Sequence, residues 1–266
     1  MSRLAVITGA SSGIGAEFAR QLSSSHDCLW LIGRRQQKLE QVAEQIEKRF
    51  AVKTEIKILE LSSIEVIEQL AHEIQQEEDL ITLVNNAGYA EDGFFHETEW
   101  QKQKDLVSVH IDATLRLSHA ALRVMSEKGE GVIINVASVA SFIPTPASTL
   151  YGATKAFIRS FSEALAVEHL QSGIKVQALC PGFTITDFHE KLGLEPDKFY
   201  KTSGIMRSWS SEYVVRESLR DLAKGIVVSV PGWNYKLLVM LLRRLPIRLH
   251  LWMMGKGDVG HRYSTD

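Results

Sequence analysis

Short apolar runs alternate with longer amphipathic stretches along most of this 266-residue chain. The predicted strands are Leu4–Thr8, Cys28–Ile32, Lys53–Leu59, Ile81–Val84, Val132–Ala137, Lys175–Leu179 and Ile226–Val230. The stretches with apolar positions at helical spacing are Ile14–Ser24, Gln37–Phe50, Ile64–Glu77, Glu97–Lys128, Tyr151–Ser172 and Ser211–Ala223. Strands that alternate with helices in this way form a parallel sheet covered by helices on both faces. The pattern therefore predicts an α/β fold, a doubly wound seven-stranded sheet in a three-layer sandwich.

The domain organisation follows from what interrupts this alternation. We find no internal repeat, low-complexity linker or break in composition, so residues 1–266 are interpreted as a single dinucleotide-binding domain of the Rossmann-like type. Residues 184–210 form an irregular insertion, interpreted as a lid over a substrate. Residues 233–266 form a tail after the last predicted strand.

Composition and charge exclude several classes of protein. The 45% hydrophobic and 23% charged residues are ordinary for a soluble globular chain, and a net charge of −2 is unlike that of a nucleic-acid-binding protein. The two cysteines are far apart and the histidines show no HExxH pattern, so neither a disulfide framework nor a metal site is expected. Neither a secretory leader nor a long uncharged apolar run is found, and a cytoplasmic location is expected.

Charge is nevertheless distributed unevenly. Residues 58–101 contain eleven acids and no Lys or Arg, whereas residues 222–257 contain six Lys or Arg and no acid. The basic segment is also rich in aliphatic and aromatic residues, which is typical of a helix lying on a membrane surface. The same residues could instead cap a pocket or bury against a second subunit. Peripheral membrane contact is therefore one of three hypotheses for this tail.

A glycine-rich turn directly follows the first predicted strand. Gly9, Gly13 and Gly15 permit a tight turn and let backbone N–H groups approach a diphosphate at the positive end of the next helix. A plain strand-to-helix turn is the alternative. The segment 9–13 also spells the G-x-S-x-G of a hydrolase nucleophile elbow, but that elbow normally comes well after the first strand. The turn favours a dinucleotide.

The residues after the second predicted strand indicate which dinucleotide. An acidic residue there would hydrogen-bond the ribose hydroxyls of NAD, whereas a guanidinium pairs with the 2′-phosphate of NADP. The chain has Arg34 and Arg35. Arg34 is assigned to the phosphate because it comes first, and Arg35 is left as a solvated charge opening the next helix. NADP is favoured over NAD.

Polar side chains follow two other predicted strands and begin one predicted helix. Tyr151 and Lys155 are spaced to share one face of a helix, where the ammonium group would stabilise the phenolate and lower the Tyr151 pKa. An ordinary surface pair is the alternative. Ser138 and Asn86 follow the fifth and fourth strands, and carboxyl ends of parallel strands share one edge of a sheet. We therefore expect these groups to meet at that edge.

Together these motifs resemble the short-chain dehydrogenase/reductase family, over roughly residues 4–190, with the glycine spacing of its single-domain branch. The matching segments, in the family's order, are Thr8–Gly15, Asn85–Gly88, Ser138, Tyr151–Lys155 and Pro181–Thr186. The resemblance implies an oxidoreductase acting on alcohol or carbonyl groups, in which Tyr151 exchanges the proton, Lys155 holds the nicotinamide ribose and Ser138 positions the substrate oxygen. It also implies a homodimer or homotetramer.

The resemblance further implies a set of cofactor contacts. Around the diphosphate it places Gly9, Ser11, Ser12, Ile14 and Gly15, and it places Asn86 near the adenosine ribose. Glu60, followed by Leu61, stands where the family usually has an adenine-contacting Asp. Pro181, Thr184 and Thr186 would border the nicotinamide.

One position departs from the family pattern. His110 stands where the family usually carries an Asn that supports a water on the proton path. An imidazole could replace that relay because it both donates and accepts protons near neutral pH. It could equally be a structural histidine.

The substrate is indicated only by class. Residues expected to face it are mostly apolar, namely Phe142, Ile143, Pro144, Phe183, Ile185, Phe188, Met206 and Trp209. They fit a lipophilic ketone, aldehyde or 3-oxoacyl group, although a lid packs apolar residues in any case. A cofactor-binding sensor or scaffold with weak catalysis is the alternative function.

Overall fold

The computed structural model describes residues 2–186, 204 and 206–256. The strands are β1 (Leu4–Thr8), β2 (Cys28–Gly33), β3 (Lys53–Ile58), β4 (Leu80–Asn85), β5 (Gly131–Val136), β6 (Ile174–Leu179), β7 (Thr184–Ile185), β8 (Trp209–Ser210) and β9 (Val228–Ser229). The helices are α1 (Gly13–Leu22), α2 (Gln36–Arg49), α3 (Ile64–Gln75), α4 (Trp100–Val107), α5 (Ala113–Lys128), α6 (Thr149–Glu168), α7 (Ser211–Ala223), α8 (Trp233–Leu242) and α9 (Ile247–Lys256).

The main sheet confirms the predicted fold class. Its seven strands run parallel in the order β3-β2-β1-β4-β5-β6-β9. The chain builds outward from β1 to β3 and then returns to place β4 on the other side of β1. Such a reversal opens a crevice at the carboxyl ends of the two central strands, which is where ligands bind in doubly wound sheets.

The two helical layers follow from the alternation of side chains along the strands. In β1, Leu4 and Val6 pack on one face of the sheet with residues of α3, α5 and α6. Ala5 and Ile7 pack on the opposite face with residues of α1, α2 and α7. Because both faces of a central strand are covered, its residues read as a continuous apolar run rather than an alternating one.

Several element boundaries differ from the prediction. The predicted helix Glu97–Lys128 begins only at Trp100 and contains a π-helical turn at Ser108–Asp112. The helix predicted for Tyr151–Ser172 begins at Thr149 and ends at Glu168, and the last sheet strand is only Val228–Ser229. The π-helical turn inserts one residue into this helix, whereas the sequence pattern over Glu97–Lys128 predicted one uninterrupted helix.

The insertion and the tail contain more regular structure than the sequence indicated. The two ends of the 184–210 insertion pair with each other as the parallel strands β7 and β8. Phe188 lies outside the described residues. The tail forms α8 and α9, separated at Pro246, which has no N–H group to continue a helix. Among the described helices, none is long and apolar enough to cross a membrane.

Candidate active site

The glycine-rich turn is tightly packed against the end of β4. Gly9 has a φ of +66°, and a Cβ there would lie 2.6 Å from Asn86 Nδ2. A Cβ on Gly15 would collide with the Gly9 carbonyl oxygen. These two glycines are therefore required by the close approach of the backbone, which fits a cradle for a diphosphate.

Asn86 braces this turn. Its Nδ2 donates to the carbonyl oxygens of Thr8 (2.9 Å) and Gly9 (3.2 Å), and its backbone N–H donates to Thr8 Oγ1 at 2.9 Å. The sequence placed Asn86 beside a ribose. In the structure, the Asn86 side chain also holds the β1–α1 turn against the end of β4.

The amino end of α1 is available to an anion. Ser12 occupies the N-cap position without a side-chain capping bond, and the first turn of α1 contains no acidic residue. The first backbone N–H groups of a helix have no partner within the helix and carry partial positive charge. This end of α1 therefore fits the diphosphate expected there.

The two arginines after β2 occupy different environments. Arg35, which the sequence left as a solvated charge, donates from Nε (3.1 Å) and Nη2 (2.9 Å) to Ser11 Oγ beside the glycine-rich turn. Arg34 Nη1 instead pairs with Glu60 Oε2 at 2.9 Å. The predicted phosphate ligand thus pairs with the predicted adenine contact, while Leu61 is buried in the core. Only the structure shows that Arg35 lies nearer the turn.

The predicted proton-transfer residues come together at the carboxyl edge of β5. Ser138 Oγ accepts a hydrogen bond from the Ala140 N–H at 3.1 Å and is also hydrogen-bonded to the Tyr151 phenol. Lys155 Nζ donates to the Val136 carbonyl oxygen at 2.8 Å and lies 5.8 Å from the centre of the Tyr151 ring. The three side chains, which come from the segment after β5 and from α6, therefore form one cluster.

Burial controls the protonation of this cluster. Burial raises the pKa of Tyr151, and the hydrogen bond with Ser138 opposes that rise only in part. Burial also lowers the pKa of Lys155 to about 8. The sequence predicted that Lys155 would lower the Tyr151 pKa. In the structure the opposite shift dominates, because the cost of removing a phenolate from water outweighs the stabilisation by neighbouring polar groups.

Comparisons with known proteins identify the family of this chain. Residues 3–197 match the short chain dehydrogenase family. The chain belongs to that family. A very-long-chain 3-oxoacyl-CoA reductase of Laccaria bicolor is 33% identical over 186 residues, 68% of this chain and 55% of the relative. The human inactive hydroxysteroid dehydrogenase-like protein 1 is 34% identical, over 69% of this chain and 56% of that protein. This chain thus spans about half the length of these curated relatives.

A solved structure extends the comparison to nearly the whole fold. A short-chain dehydrogenase from Sphingobium yanoikuyae in complex with NADPH matches with a TM-score of 0.82 and 26% identity. The match covers 96% of this chain and 95% of that one. The predicted family and fold are therefore both confirmed.

His110, which the resemblance places where the family usually carries an Asn, is fully buried in the π-helical turn. Its Nε2 lies 3.2 Å from the Tyr89 backbone N–H and its Nδ1 lies 2.8 Å from Thr154 Oγ1. Nε2 must accept from a backbone donor, and Thr154 donates its own proton to the Tyr151 carbonyl oxygen at 2.9 Å. His110 is therefore a neutral imidazole protonated on Nδ1.

The same ring lies close to Lys155. A Cβ on Gly88 would lie 2.7 Å from His110 Nε2 and 3.6 Å from Lys155 Nζ, so both groups border this glycine. Burial and the charge of Lys155 hold the pKa of His110 well below its usual value. Thr154 and Gly88 belong to the quoted motifs, but nothing in their spacing indicates that they enclose a histidine.

The segment Pro181–Thr186, which the resemblance places beside the nicotinamide, is held by a residue from the tail. The ring of Tyr235, in α8, packs directly on Gly182, and its hydroxyl accepts from the Phe183 N–H at 3.0 Å. Pro181 is joined to the Ser138 segment, because its carbonyl oxygen accepts from the Val139 N–H at 3.0 Å. Sequence analysis missed Tyr235, for no motif connects the tail with this edge.

The other residues of this segment divide between core and surface. Thr184 is buried and its hydroxyl donates to the Gly182 carbonyl oxygen at 3.0 Å, whereas Ile185 is exposed. The methyl group of Thr186 would be 2.9 Å from a Cβ on Gly13, which places Thr186 over the glycine-rich turn. The segment therefore spans from the Ser138 cluster to the start of α1.

The apolar residues expected to face a substrate are partly gathered. Phe142, Phe183 and Trp209 pack against the buried cluster that includes Tyr235 and Val239. Ile143 and Pro144 are partly buried, and Met206 is exposed. Among the described residues, no group of three His, Cys, Asp or Glu side chains could hold a metal ion.

Proposed function

We propose that this chain is an NADP(H)-dependent oxidoreductase acting on a lipophilic ketone, aldehyde or 3-oxoacyl group, or on the corresponding alcohol. The observation that carries the proposal is the Ser138–Tyr151–Lys155 cluster, in which Ser138 is hydrogen-bonded to the phenol. A binding module has no need for a phenol, a hydroxyl and an ammonium group at one sheet edge. The family match is a second support.

The residues of this chain fit a nicotinamide dinucleotide. The Gly9–Gly15 cradle and the uncapped end of α1 would hold the diphosphate, with Ser11, Ser12 and Ile14 around it. Pro181, Thr184 and Thr186 would border the nicotinamide, and Lys155 its ribose. When bound, such a cofactor supplies or removes the hydride.

Proton transfer is then the task of the chain's own side chains. In carbonyl reduction, Tyr151 donates its phenolic proton to the substrate oxygen while the Ser138 hydroxyl hydrogen-bonds that oxygen. Burial raises the Tyr151 pKa, so near neutral pH the phenol already carries the proton needed for reduction. Alcohol oxidation needs the phenolate, and we expect its rate to increase with pH while the rate of reduction decreases.

The preference for NADP rests on the two arginines. Arg34 is exposed and its ion pair with Glu60 is at the surface, so releasing it to a 2′-phosphate costs less than about 1 kcal/mol. Arg35 lies beside the glycine-rich turn, where its guanidinium group donates a hydrogen bond to Ser11 Oγ. We propose that both arginines contact the 2′-phosphate, with NAD bound less well.

His110 is proposed as a positioning residue. Its Nε2 is engaged by the Tyr89 N–H and its Nδ1–H by Thr154, so the ring joins the segment after β4 to the helix that carries Tyr151 and Lys155. A relay through this ring would have to break one of these buried bonds. We therefore favour the structural hypothesis over the relay.

The experiment is a screen of cofactor consumption by the purified full chain. Ketones, aldehydes and 3-oxoacyl thioesters are offered with NADPH and, in parallel, with NADH. We expect a lipophilic carbonyl compound to be reduced faster with NADPH, and Tyr151→Phe to lower kcat by a factor of about 100 or more. NADPH binding, measured by fluorescence titration, should remain. Equal rates for parent and variant would reject Tyr151 as the proton donor.

A catalytically weak sensor or scaffold is the second candidate. Two observations favour it, the relative named as inactive and the His110 substitution. This candidate predicts that NADPH binds while no carbonyl compound in the screen is reduced, and that Tyr151→Phe has no effect on any reaction. A productive substrate would eliminate it.

A further inference from the structure

Helix α8 is apolar on its outward face as well as its inward one. Trp233, Leu237, Met240 and Leu241 are exposed, Trp233 by 65%, and their spacing places them in one stripe along the helix. The inward face carries the buried Tyr235, described above. A soluble helix normally turns polar residues outward, so this stripe, which we call the α8 stripe, marks a surface for a partner.

Positive charge borders the α8 stripe. Lys236 and Arg243 lie on α8 and its C-cap, with acidic neighbours: Lys236 Nζ is 3.9 Å from Asp221, and Arg243 is 3.7 Å from Glu163. Arg244 and Arg248 are exposed and, among the described residues, have no carboxylate partner. An apolar stripe on a helix that is followed by two exposed cations complements a surface with acyl chains below and negative charge above.

The helix that carries the stripe is also fastened to the proposed active site. Tyr235 accepts from the Phe183 N–H, and Asn234 Oδ1 accepts from Trp209 Nε1 at 2.9 Å. Arg243 lies 5.6 Å from the centre of the Phe142 ring, on the segment that follows Ser138. A surface bound through the α8 stripe would therefore lie next to the edge where a lipophilic substrate is expected.

We propose that the α8 stripe and its cations dock this chain on an anionic lipid membrane. Membrane binding itself does not depend on the proposed function, because it needs no catalysis. Only the delivery of a lipophilic substrate from the membrane rests on that function. The competing occupant is a second copy of this chain, which would cover the same residues without requiring anionic lipid.

Flotation of the full chain with lipid vesicles tests the proposal. We expect binding to vesicles of equal parts phosphatidylserine and phosphatidylcholine, and much weaker binding to phosphatidylcholine alone. Changing Trp233 and Leu237 together to Ser should weaken binding at least about tenfold, because each buries a large apolar side chain in the bilayer. Changing Arg244 and Arg248 to Gln should weaken it about fivefold for each cation removed.

Trp100→Ser is the matched control, since Trp100 is an exposed tryptophan on α4. It should leave flotation unchanged, as should Tyr151→Phe, so a failure of the chemistry is distinguishable from a failure of docking. Thermal unfolding checks that each variant is folded. The proposal is overturned if the parent does not float, if it binds both lipid mixtures equally, or if the Trp233 and Leu237 changes have no effect. A parent that does not float but forms a dimer, lost in the double variant, would assign the stripe to self-association.

Discussion

The two ends of the proposed cofactor site differ in how far their polar side chains are exposed to water. At the catalytic end, Lys155 is 5% exposed and His110 is fully buried. At the adenosine end, the side chains of the Arg34–Glu60 pair are 59% and 45% exposed. Both ends hold polar groups in defined positions, but only the catalytic end removes them from water.

This difference predicts how strongly each residue affects the molecule. A buried polar group costs free energy when it loses its partner, and its pKa shifts because its charged form is disfavoured. An exposed ion pair is exchanged for water at little cost. We therefore expect substitutions at the catalytic end to change stability and titration, and those at the adenosine end to change ligand preference.

The largest effect on stability is expected from Lys155→Met. The Lys155 pKa of about 8 lies below its ordinary value of 10.5, so the folded chain is destabilised wherever the lysine is charged. At neutral pH the buried charge lowers the free energy of unfolding of the parent by up to about 3 kcal/mol. The variant also loses the hydrogen bond to the Val136 carbonyl oxygen, which reduces this gain in stability by about 1 kcal/mol. The ligand-free variant should thus be about 2 kcal/mol more stable than the parent in urea unfolding.

The sign of the pH dependence sharpens this prediction. Between about 8 and 10.5 the unfolded chain binds the Lys155 proton and the folded chain does not. The parent therefore gains stability relative to Lys155→Met as pH rises through that window. Subtracting the free energy of unfolding of Lys155→Met from that of the parent at each pH cancels the contributions of the other titrating groups. A difference that stays constant with pH would show that Lys155 is not charged and buried as described.

A smaller effect is expected from His110→Asn, with His26→Asn as the matched control. His26 is also buried, with Nε2 2.9 Å from Thr82 Oγ1 and Nδ1 3.0 Å from the Leu22 carbonyl oxygen. Each substitution should lower the free energy of unfolding by about 1 kcal/mol, measured by urea denaturation.

Only the His110 substitution should also change the reaction. We expect His110→Asn to alter kcat for the substrate found in the screen, because the ring fixes the helix that carries Tyr151 and Lys155. His26→Asn should leave kcat and KM as they are. If both variants lose stability and neither changes kcat, His110 has no positioning role.

The smallest effects on stability are expected at the adenosine end. Arg34→Asp and Arg35→Gln should each raise the Kd of NADPH about tenfold, since charge-assisted bonds to the 2′-phosphate are lost, and neither should raise the Kd of NADH. The free energy of unfolding of Arg34→Asp should change by about 1 kcal/mol or less. Isothermal titration checks both cofactors.

Arg123→Asp, an exposed arginine on α5, controls for net charge. If only Arg35→Gln affects NADPH, the assignment of Arg34 to the phosphate is wrong. If neither does, the preference for NADP lies elsewhere.

The sequence by itself determined the order of strands and helices along the chain, and it predicted the sheet edge of the proposed site. Strand periodicity and glycine-rich turns are local, so each motif could be placed at the end of a strand from its neighbours alone. That placement is why Ser138 and Tyr151 could be predicted to meet although they belong to different elements. Each proposed catalytic residue could be recognised within its motif because the proposed chemistry requires that type of side chain.

Only the tertiary structure decided the partners of these residues. The π-helical turn that brings His110 between Gly88 and Thr154, and the contact of Tyr235 with Gly182, join segments far apart in the chain. Which arginine lies beside the glycine-rich turn was decided in the same way, by packing between α1 and the end of β2. Burial then set the direction of each pKa shift, because the loss of water around a charge depends on everything that surrounds it and not on its neighbours in sequence.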